Sequence, residues 1–248
     1  MKAIQIDVPL PKTDSGQLLV KLEACGVNFI DIYQRRGIYK VHLPCILGLE
    51  GAGIIARKGR GVTGFSTGDR VAFAGIQGSY AEYISVEQDR LVKIPQNLDF
   101  DRAAASLLQG MTAHYLVHTT FKLKAGHTCL VHAAAGGVGL LLVQMAKSVG
   151  AIVYGTVATE EKARRAIQAG ADDVIIYTKE DFADRIKELT DGAGVHVVYD
   201  SVGKQTFVKS LNCLRPLGYM VLFGQSSGPV PKIDPQVLNK TFSKSLYC

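Results

Sequence analysis

Nine residues, "VHAAAGGVG" (Val131–Gly139), are mostly too small to shield the backbone they belong to. The apolar run "TCLVHA" leads into them, and "VGLLLVQMAKSVG", with the spacing of an apolar-faced helix, leads out. Strand, small-residue turn and helix in that order make a dinucleotide fingerprint. Its first glycine forms the turn, the second admits pyrophosphate and the third lets the helix pack on the strand. Ala134, Gly136 and Gly139 take those three places. The helix start at Gly136, Gly137 and Val138 would receive the pyrophosphate on N–H groups that no preceding turn occupies. The bland alternative is a tight turn with no ligand, and the regular alternation of elements downstream weighs against it.

The end of the next strand indicates which dinucleotide. NAD enzymes usually place an acidic residue there to hold the ribose 2′-hydroxyl. Here the sequence reads "TVAT", and Val157–Thr159 contains no acid. Lys162 follows in the first turn of the next helix, and Tyr177 closes the third strand. Without the carboxylate, nothing in that stretch repels a 2′-phosphate, and the lysine offers a counter-charge. NADPH is therefore the expected cofactor, with Ala158, Lys162 and Tyr177 around its 2′-phosphate. Glu160 and Glu161 count against this unless they face solvent, and Lys162 read alone is an exposed helical lysine.

The elements that must position these residues have two textures. As far as Pro95, short β-branched runs are broken by glycine ("QLLVKLEA", "GAGIIARKG", "DRVAFAG", "YAEYISV"), as in a compact β unit. From Thr128, apolar strands ("CLVHA", "AIVYGTV", "DVIIY", "VHVVYDS", "YMVLFG") alternate with helices starting near Gly137, Thr159, Lys179 and Lys204. Strands without polar alternation belong to a parallel sheet covered on both faces. Strict alternation of strand and helix builds right-handed βαβ units. "DRAAASLLQGMTAHYLVH" reads as a linking helix.

Composition excludes several classes. The 248 residues are 47% hydrophobic and 20% charged, ordinary for a globular chain. A net charge of +6 comes without a basic stripe interleaved with stacking aromatics, so nucleic acid is not an expected partner. Five cysteines (Cys25, Cys45, Cys129, Cys213, Cys248) are scattered with no C-x-x-C, against a thiolate zinc site or a disulfide framework. No signal peptide or membrane-length apolar run is present, so a reduced, cytoplasmic setting is expected.

The stretches "EACGVNFIDIYQRRGIY", "LGLEGAGII", "GVTGFSTGDRVAF", "AAAGGVG" and "VVYDSVG" together resemble the medium-chain dehydrogenase/reductase superfamily. Within it they are similar to the NADPH-dependent quinone oxidoreductases related to zeta-crystallin. The resemblance implies an α/β chain with a β-rich, GroES-like catalytic domain over 1–107. A Rossmann-type, doubly wound parallel sheet over 108–248 would bind NADPH. It also implies that both domains are incomplete: part of an opening hairpin is missing and the sixth sheet strand is barely begun. Weak NADPH binding with poor quinone turnover would follow.

Zinc alcohol dehydrogenases carry a ligand cysteine where this chain has Asn28, and a ligand histidine where it has Leu49. Their lobe of four closely spaced cysteines is absent as well. An amide and an alkyl group cannot complete a tetrahedral N/S site, so no metal is expected. Without a Lewis acid the acceptor must be electrophilic by itself, as quinones and conjugated carbonyls are.

By the resemblance, Asn28, Tyr33 and Tyr39 serve the substrate, while Phe29, Ile30, Asp31 and Tyr33 lie near the nicotinamide. Thr112 and Tyr115 would approach the cofactor, as would Ser201 and the run Phe223, Gly224, Gln225 and Ser226 at the end of the fifth strand. Read blandly, Asp31 caps a helix and the two tyrosines pack. His132, inside the first strand of the second half, reads as a hydrogen-bonded core histidine. The expected reaction is hydride transfer from NADPH to a quinone. Two alternatives stay open: reduction of α,β-unsaturated aldehydes or ketones, and a non-catalytic NADPH- or RNA-binding role. A homodimer is left open too.

Overall fold

The computed structural model describes residues 7–240 and 244–247. The chain divides into two units, Met1–Leu108 and Gln109–Cys248.

The first unit is an antiparallel sheet in the order β4-β1-β2-β3-β5, built from β1 (Gln17–Cys25), β2 (Glu50–Lys58), β3 (Arg70–Ala74), β4 (Tyr83–Glu87) and β5 (Val92–Lys93). Leu18 pairs with Val86 and Val20 with Ile84 across β1 and β4. These residues share one face because side chains two apart on a strand point the same way. With Ile55, Val71 and Phe73 they form the buried core of the unit. A seven-residue helix α1 (Phe29–Arg35) follows β1. The run expected as a strand from Tyr80 pairs only from Tyr83. Helix α2 (Phe100–Tyr115) lays Ala103 and Ala104 against Ala52 and Ala72, then leads out of the unit.

The second unit is a six-stranded parallel sheet. Its strands are β6 (Thr128–His132), β7 (Ile152–Val157), β8 (Asp173–Ile176), β9 (Val195–Asp200), β10 (Leu214–Leu222) and β11 (Lys244–Tyr247), in the order β11-β10-β9-β6-β7-β8. The chain winds outward from β6 through β7 to β8, then returns to β9 on the other side of β6. The winding therefore reverses between β6 and β9, where sheets of this kind open a crevice at their carboxyl ends. Both faces are covered. Cys129 and Val131 of β6 pack in the cluster that includes Leu142 and Val143 of α3 (Gly137–Ser148). Leu130, between them, packs with Phe182 and Ile186 of α5 (Phe182–Leu189) on the other face. That two-sided burial is why the strands read as continuous apolar runs.

Helix starts are set by local caps. Thr159 Oγ1 accepts from the Lys162 N–H at 3.3 Å and opens α4 (Glu160–Gln168). Asp181 accepts from the Ala183 N–H at 2.9 Å, so α5 begins at Phe182 and not near Lys179. The helix expected from near Lys204 is only the four-residue α6 (Phe207–Ser210). Upstream of it the Asp200 carboxylate takes the Val202 N–H (2.7 Å), the Gly203 N–H (3.1 Å) and the Thr206 hydroxyl (2.8 Å), which fixes those residues as a loop. Among the described residues no helix is long and apolar enough to cross a membrane.

Candidate functional site

In the first unit the chemistry gathers where β1 hands over to α1. Asn28 is extended (φ −127°, ψ 156°) and caps the helix; its N–H donates to Asp31 Oδ2 at 2.8 Å. Asp31 therefore has the capping role that its bland reading gives it. The same oxygen accepts from the Tyr80 hydroxyl at 2.7 Å, and burial together with that carboxylate pushes the Tyr80 phenol upward. The other carboxylate oxygen, Oδ1, is buried without a hydrogen-bond partner.

The Asn28 side chain is committed elsewhere: its Nδ2 donates to Glu50 Oε1 at 2.7 Å. Glu50, the first residue of β2, is fully buried, and its Oε2 accepts from the Leu108 N–H at 2.9 Å. Burial raises its carboxyl above the usual carboxylate range, and the two donors pull it back. Thus Asn28, placed where zinc-dependent relatives carry a thiolate, is bonded to a buried carboxylate, and Leu49 beside it has no donor atom. These residues do not fit zinc. Among the described residues no group of three or more His, Cys, Asp and Glu is placed to hold a metal.

After α1 the chain doubles back, with the Tyr39 N–H donating to the Tyr33 carbonyl at 3.2 Å. This sets the Tyr33 and Tyr39 rings 5.3 Å apart, and the Phe29 ring lies 6.1 Å from that of Tyr33. Tyr33 is buried, Tyr39 and Ile30 half-buried, and Phe29 exposed. Asn28, Phe29, Asp31, Tyr33 and Tyr39 therefore form one connected patch around α1, with Ile30 on the same helix.

In the second unit the small-residue turn joins β6 to α3 at the reversal point of the sheet. The Gly136 N–H closes it on the Ala133 carbonyl at 2.8 Å, and the Ala134 N–H ties it to Thr156 of β7 at 3.2 Å. Ala133 sits in the left-handed region (φ 52°). A Cβ on Gly139 would stand 2.3 Å from the Ala133 carbonyl oxygen, so only glycine lets α3 lie this close to the turn. The N–H groups of Gly137 and Val138 open a helix of 12 residues and have no partner within it. That bare, positively polarised end fits a pyrophosphate.

Around the neighbouring strand ends, Ala158 is half-buried, while Lys162 and Tyr177 are exposed. Glu160 is not left facing the site alone: its Oε1 lies 2.6 Å from Lys179 Nζ, which holds its carboxyl below the usual range. Across the reversal point, Ser201 and the run Phe223–Ser226 are laced together. The Phe223 N–H donates to the Asp200 carbonyl (2.9 Å), the Ser226 N–H to that of Ser201 (3.1 Å) and the Ser227 N–H to that of Val202 (2.9 Å). Thr112 and Tyr115 lie on the last turns of α2, Tyr115 being 37% exposed. His132 is sealed in the core between Thr156 Oγ1 and Ser210 Oγ, both at 2.8 Å, and burial lowers its proton affinity.

Sequence reasoning did not single out Glu50 or Lys179. Each acts on a partner distant in the chain, and "LGLEGAGII" showed its glutamate only as the end of an apolar motif.

An antiparallel unit of the GroES kind followed by a doubly wound parallel sheet with a dinucleotide turn defines a medium-chain dehydrogenase/reductase. Residues 14–96 match the family described as "Alcohol dehydrogenase GroES-like domain", and residues 137–247 the one described as "Zinc-binding dehydrogenase". A quinone oxidoreductase of Pseudomonas aeruginosa is 47% identical over 233 residues, covering 93% of this chain and 71% of that protein. A 2-haloacrylate reductase of a Burkholderia species is 43% identical over 229 residues, covering 90% of this chain and 69% of its own. The structure of Escherichia coli quinone oxidoreductase complexed with NADPH superposes with a TM-score of 0.94 at 41% identity, covering 98% of this chain and 76% of that one. The chain belongs to the quinone oxidoreductase family of that superfamily.

Proposed function

We propose that the chain reduces quinones with NADPH by a metal-free route. The observation that carries this reading is the Asn28–Glu50 pair, an amide bonded to a buried carboxylate where a Lewis-acid mechanism needs a thiolate. When bound, NADPH supplies a hydride, which a quinone takes up with a proton to give a hydroquinone. This chain's residues bind and orient. The α3 amino end takes the pyrophosphate, and Ala158, Lys162 and Tyr177 take the 2′-phosphate. Ser201 and Phe223–Ser226, with Thr112 and Tyr115, steady the nicotinamide half, aided by Phe29, Ile30 and Asp31. Tyr39 offers a ring face and a hydroxyl that suit a flat, two-oxygen acceptor, Tyr33 backs it from within, and Glu50 fixes which way the Asn28 amide points.

The likeness to a 2-haloacrylate reductase supports a second reading, in which the acceptor is a conjugated alkene and not a quinone. One experiment separates them: oxidation of NADPH and NADH over a panel of quinones, enals and enones, with and without a chelator. Faster turnover of quinones with NADPH, unchanged by chelation, is expected. Turnover confined to enals or enones favours the second reading, and loss of activity on chelation refutes the metal-free route.

We further propose a cytoplasmic setting, supported by Cys25, Cys45, Cys129 and Cys213 all being free thiols. A homodimer through an edge of the parallel sheet is proposed as well, supported by β8 and β11 each having one partner strand among the described residues. Light scattering of the purified chain tests it, and a monomer at micromolar concentration refutes it.

A further inference from the structure

We propose that a groove at the amino-terminal edge of the parallel sheet binds a small phosphate, inorganic or a phosphomonoester, on Arg215 and His196. The groove is bordered by Thr128, Tyr154, Thr190, Asp191, His196 and Arg215, among others. It lies at the starts of β6, β7, β9 and β10, the opposite edge of the sheet from the dinucleotide turn.

The backbone is shaped to put Arg215 there. Leu214 of β10 pairs with Val195 of β9, but the next pair is Tyr219 with Val197, so β10 bulges between them. The bulge carries Arg215 and Pro216, and Leu217 within it is left-handed (φ 62°) and 68% exposed. Such strain in a non-glycine residue persists only where surrounding structure enforces it. Gly194, just ahead of β9, makes room: a Cβ there would stand 2.6 Å from the Arg215 backbone nitrogen.

At His196 two N–H groups converge on one imidazole. The Thr128 N–H donates to His196 Nδ1 at 3.0 Å, Thr128 Oγ1 lies 2.9 Å from the same nitrogen, and Arg215 Nη1 lies 2.7 Å from His196 Nε2. A neutral imidazole has one acceptor nitrogen, so in either tautomer one N–H is aimed at another. His127 stacks on His196 with ring centroids 4.4 Å apart and planes 15° apart, and its buried Nδ1 has no partner. An oxyanion resolves the conflict. It accepts from the guanidinium fork and from the Nε2–H of a neutral His196, whose Nδ1 then takes the Thr128 N–H.

The charged and titratable groups facing His196 are His127 ahead of β6, Tyr154 on β7, Arg215 on β10 and Asp191 across the groove, and Lys124 acts on His127. Burial and the cations hold both histidines below the ordinary range, and a bound dianion would raise His196.

The test is side-chain ¹H–¹⁵N NMR of the histidines in the full chain, titrated at constant ionic strength with sodium phosphate, glycerol 3-phosphate or sodium chloride. Either phosphate should give saturable shifts at His196 and His127, and move the His196 titration to higher pH. Tighter binding of glycerol 3-phosphate would identify a monoester site, and tighter binding of inorganic phosphate a free-phosphate site. Arg215→Gln should weaken binding by at least about tenfold, the worth of a charge-assisted hydrogen bond, and Arg215→Lys by less. Lys162→Glu, which disables phosphate binding at the proposed cofactor site, should leave these shifts intact. Shifts that do not saturate, that chloride reproduces, or that survive Arg215→Gln at full affinity would overturn the proposal. Should Arg215→Gln fail to fold, Arg215→Lys decides: undiminished affinity refutes the bidentate contact.

Discussion

Replacing Asn28 with Ala removes one of the two donors on a carboxylate with no solvent exposure. A hydrogen bond to a charged group contributes about 1.5–3 kcal/mol. Losing that donor raises the Glu50 carboxyl further. Glu50 is already raised on folding. Its contribution to stability is therefore full below the unfolded carboxyl value and falls as pH climbs to the folded one. In Asn28→Ala that fall extends to higher pH. Urea unfolding followed by circular dichroism should show, beyond a constant loss from the removed helix cap, a penalty that grows by about 1.5–3 kcal/mol as pH rises from 5 to 8. Glu50→Gln removes the charge, so Asn28→Ala made in that background should cost less at pH 8 and should not vary with pH. A penalty independent of pH, or undiminished in the Glu50→Gln background, refutes the coupling.

Lys162→Glu should weaken NADPH binding by about tenfold or more while sparing NADH, because a phosphate contact becomes a repulsion; equal losses measured by fluorescence titration would remove Lys162 from the 2′-phosphate site. Gly139→Ala forces a methyl against the Ala133 carbonyl, so it should destabilise the second unit by about 1–3 kcal/mol and weaken both dinucleotides together; calorimetry and titration check it. His132 is held neutral with its affinity for protons lowered, so its contribution to stability is present at neutral pH and is lost as pH falls below about 6.5; His132→Gln should flatten part of that acid slope. Metal analysis should find no stoichiometric zinc, given Asn28 and Leu49, and one tightly held zinc whose removal abolished activity would contradict the site described.

The fold was legible wherever one residue type enforces one local geometry. Apolar runs such as "AIVYGTV" could only be strands buried on both faces, and Gly139 marks a contact that no larger residue allows. Helix starts were legible only within a turn, because the caps that move them, Asp181 for α5 and the Asp200 loop before α6, are hydrogen bonds and not compositions. The start of β10 was hidden: the run "YMVLFG" shows only its second half, whereas the strand begins at Leu214 and carries Pro216 and Gly218 through a bulge. At the candidate site, the Asn28–Tyr39 stretch came in through the family resemblance, while the glycine turn could be read directly. Glu50 could not, since its meaning depends on an amide 22 residues away meeting it in the interior. Lys179 was hidden for the same reason: it cancels a charge 19 residues upstream that seemed to argue against a 2′-phosphate.

The left-handed Ala133 has a consequence for how the turn meets its ligand. Glycine would hold that conformation without strain, but it would also leave the loop many other shapes to sample. Alanine accepts a steric cost of about 1–2 kcal/mol and narrows the choice, while the bonds from Gly136 and Ala134 keep the strained shape in place. The entropy of ordering the turn is thus surrendered during folding, not at each binding event. A dinucleotide arriving at α3 meets a preorganised edge, and its release leaves that edge set for the next.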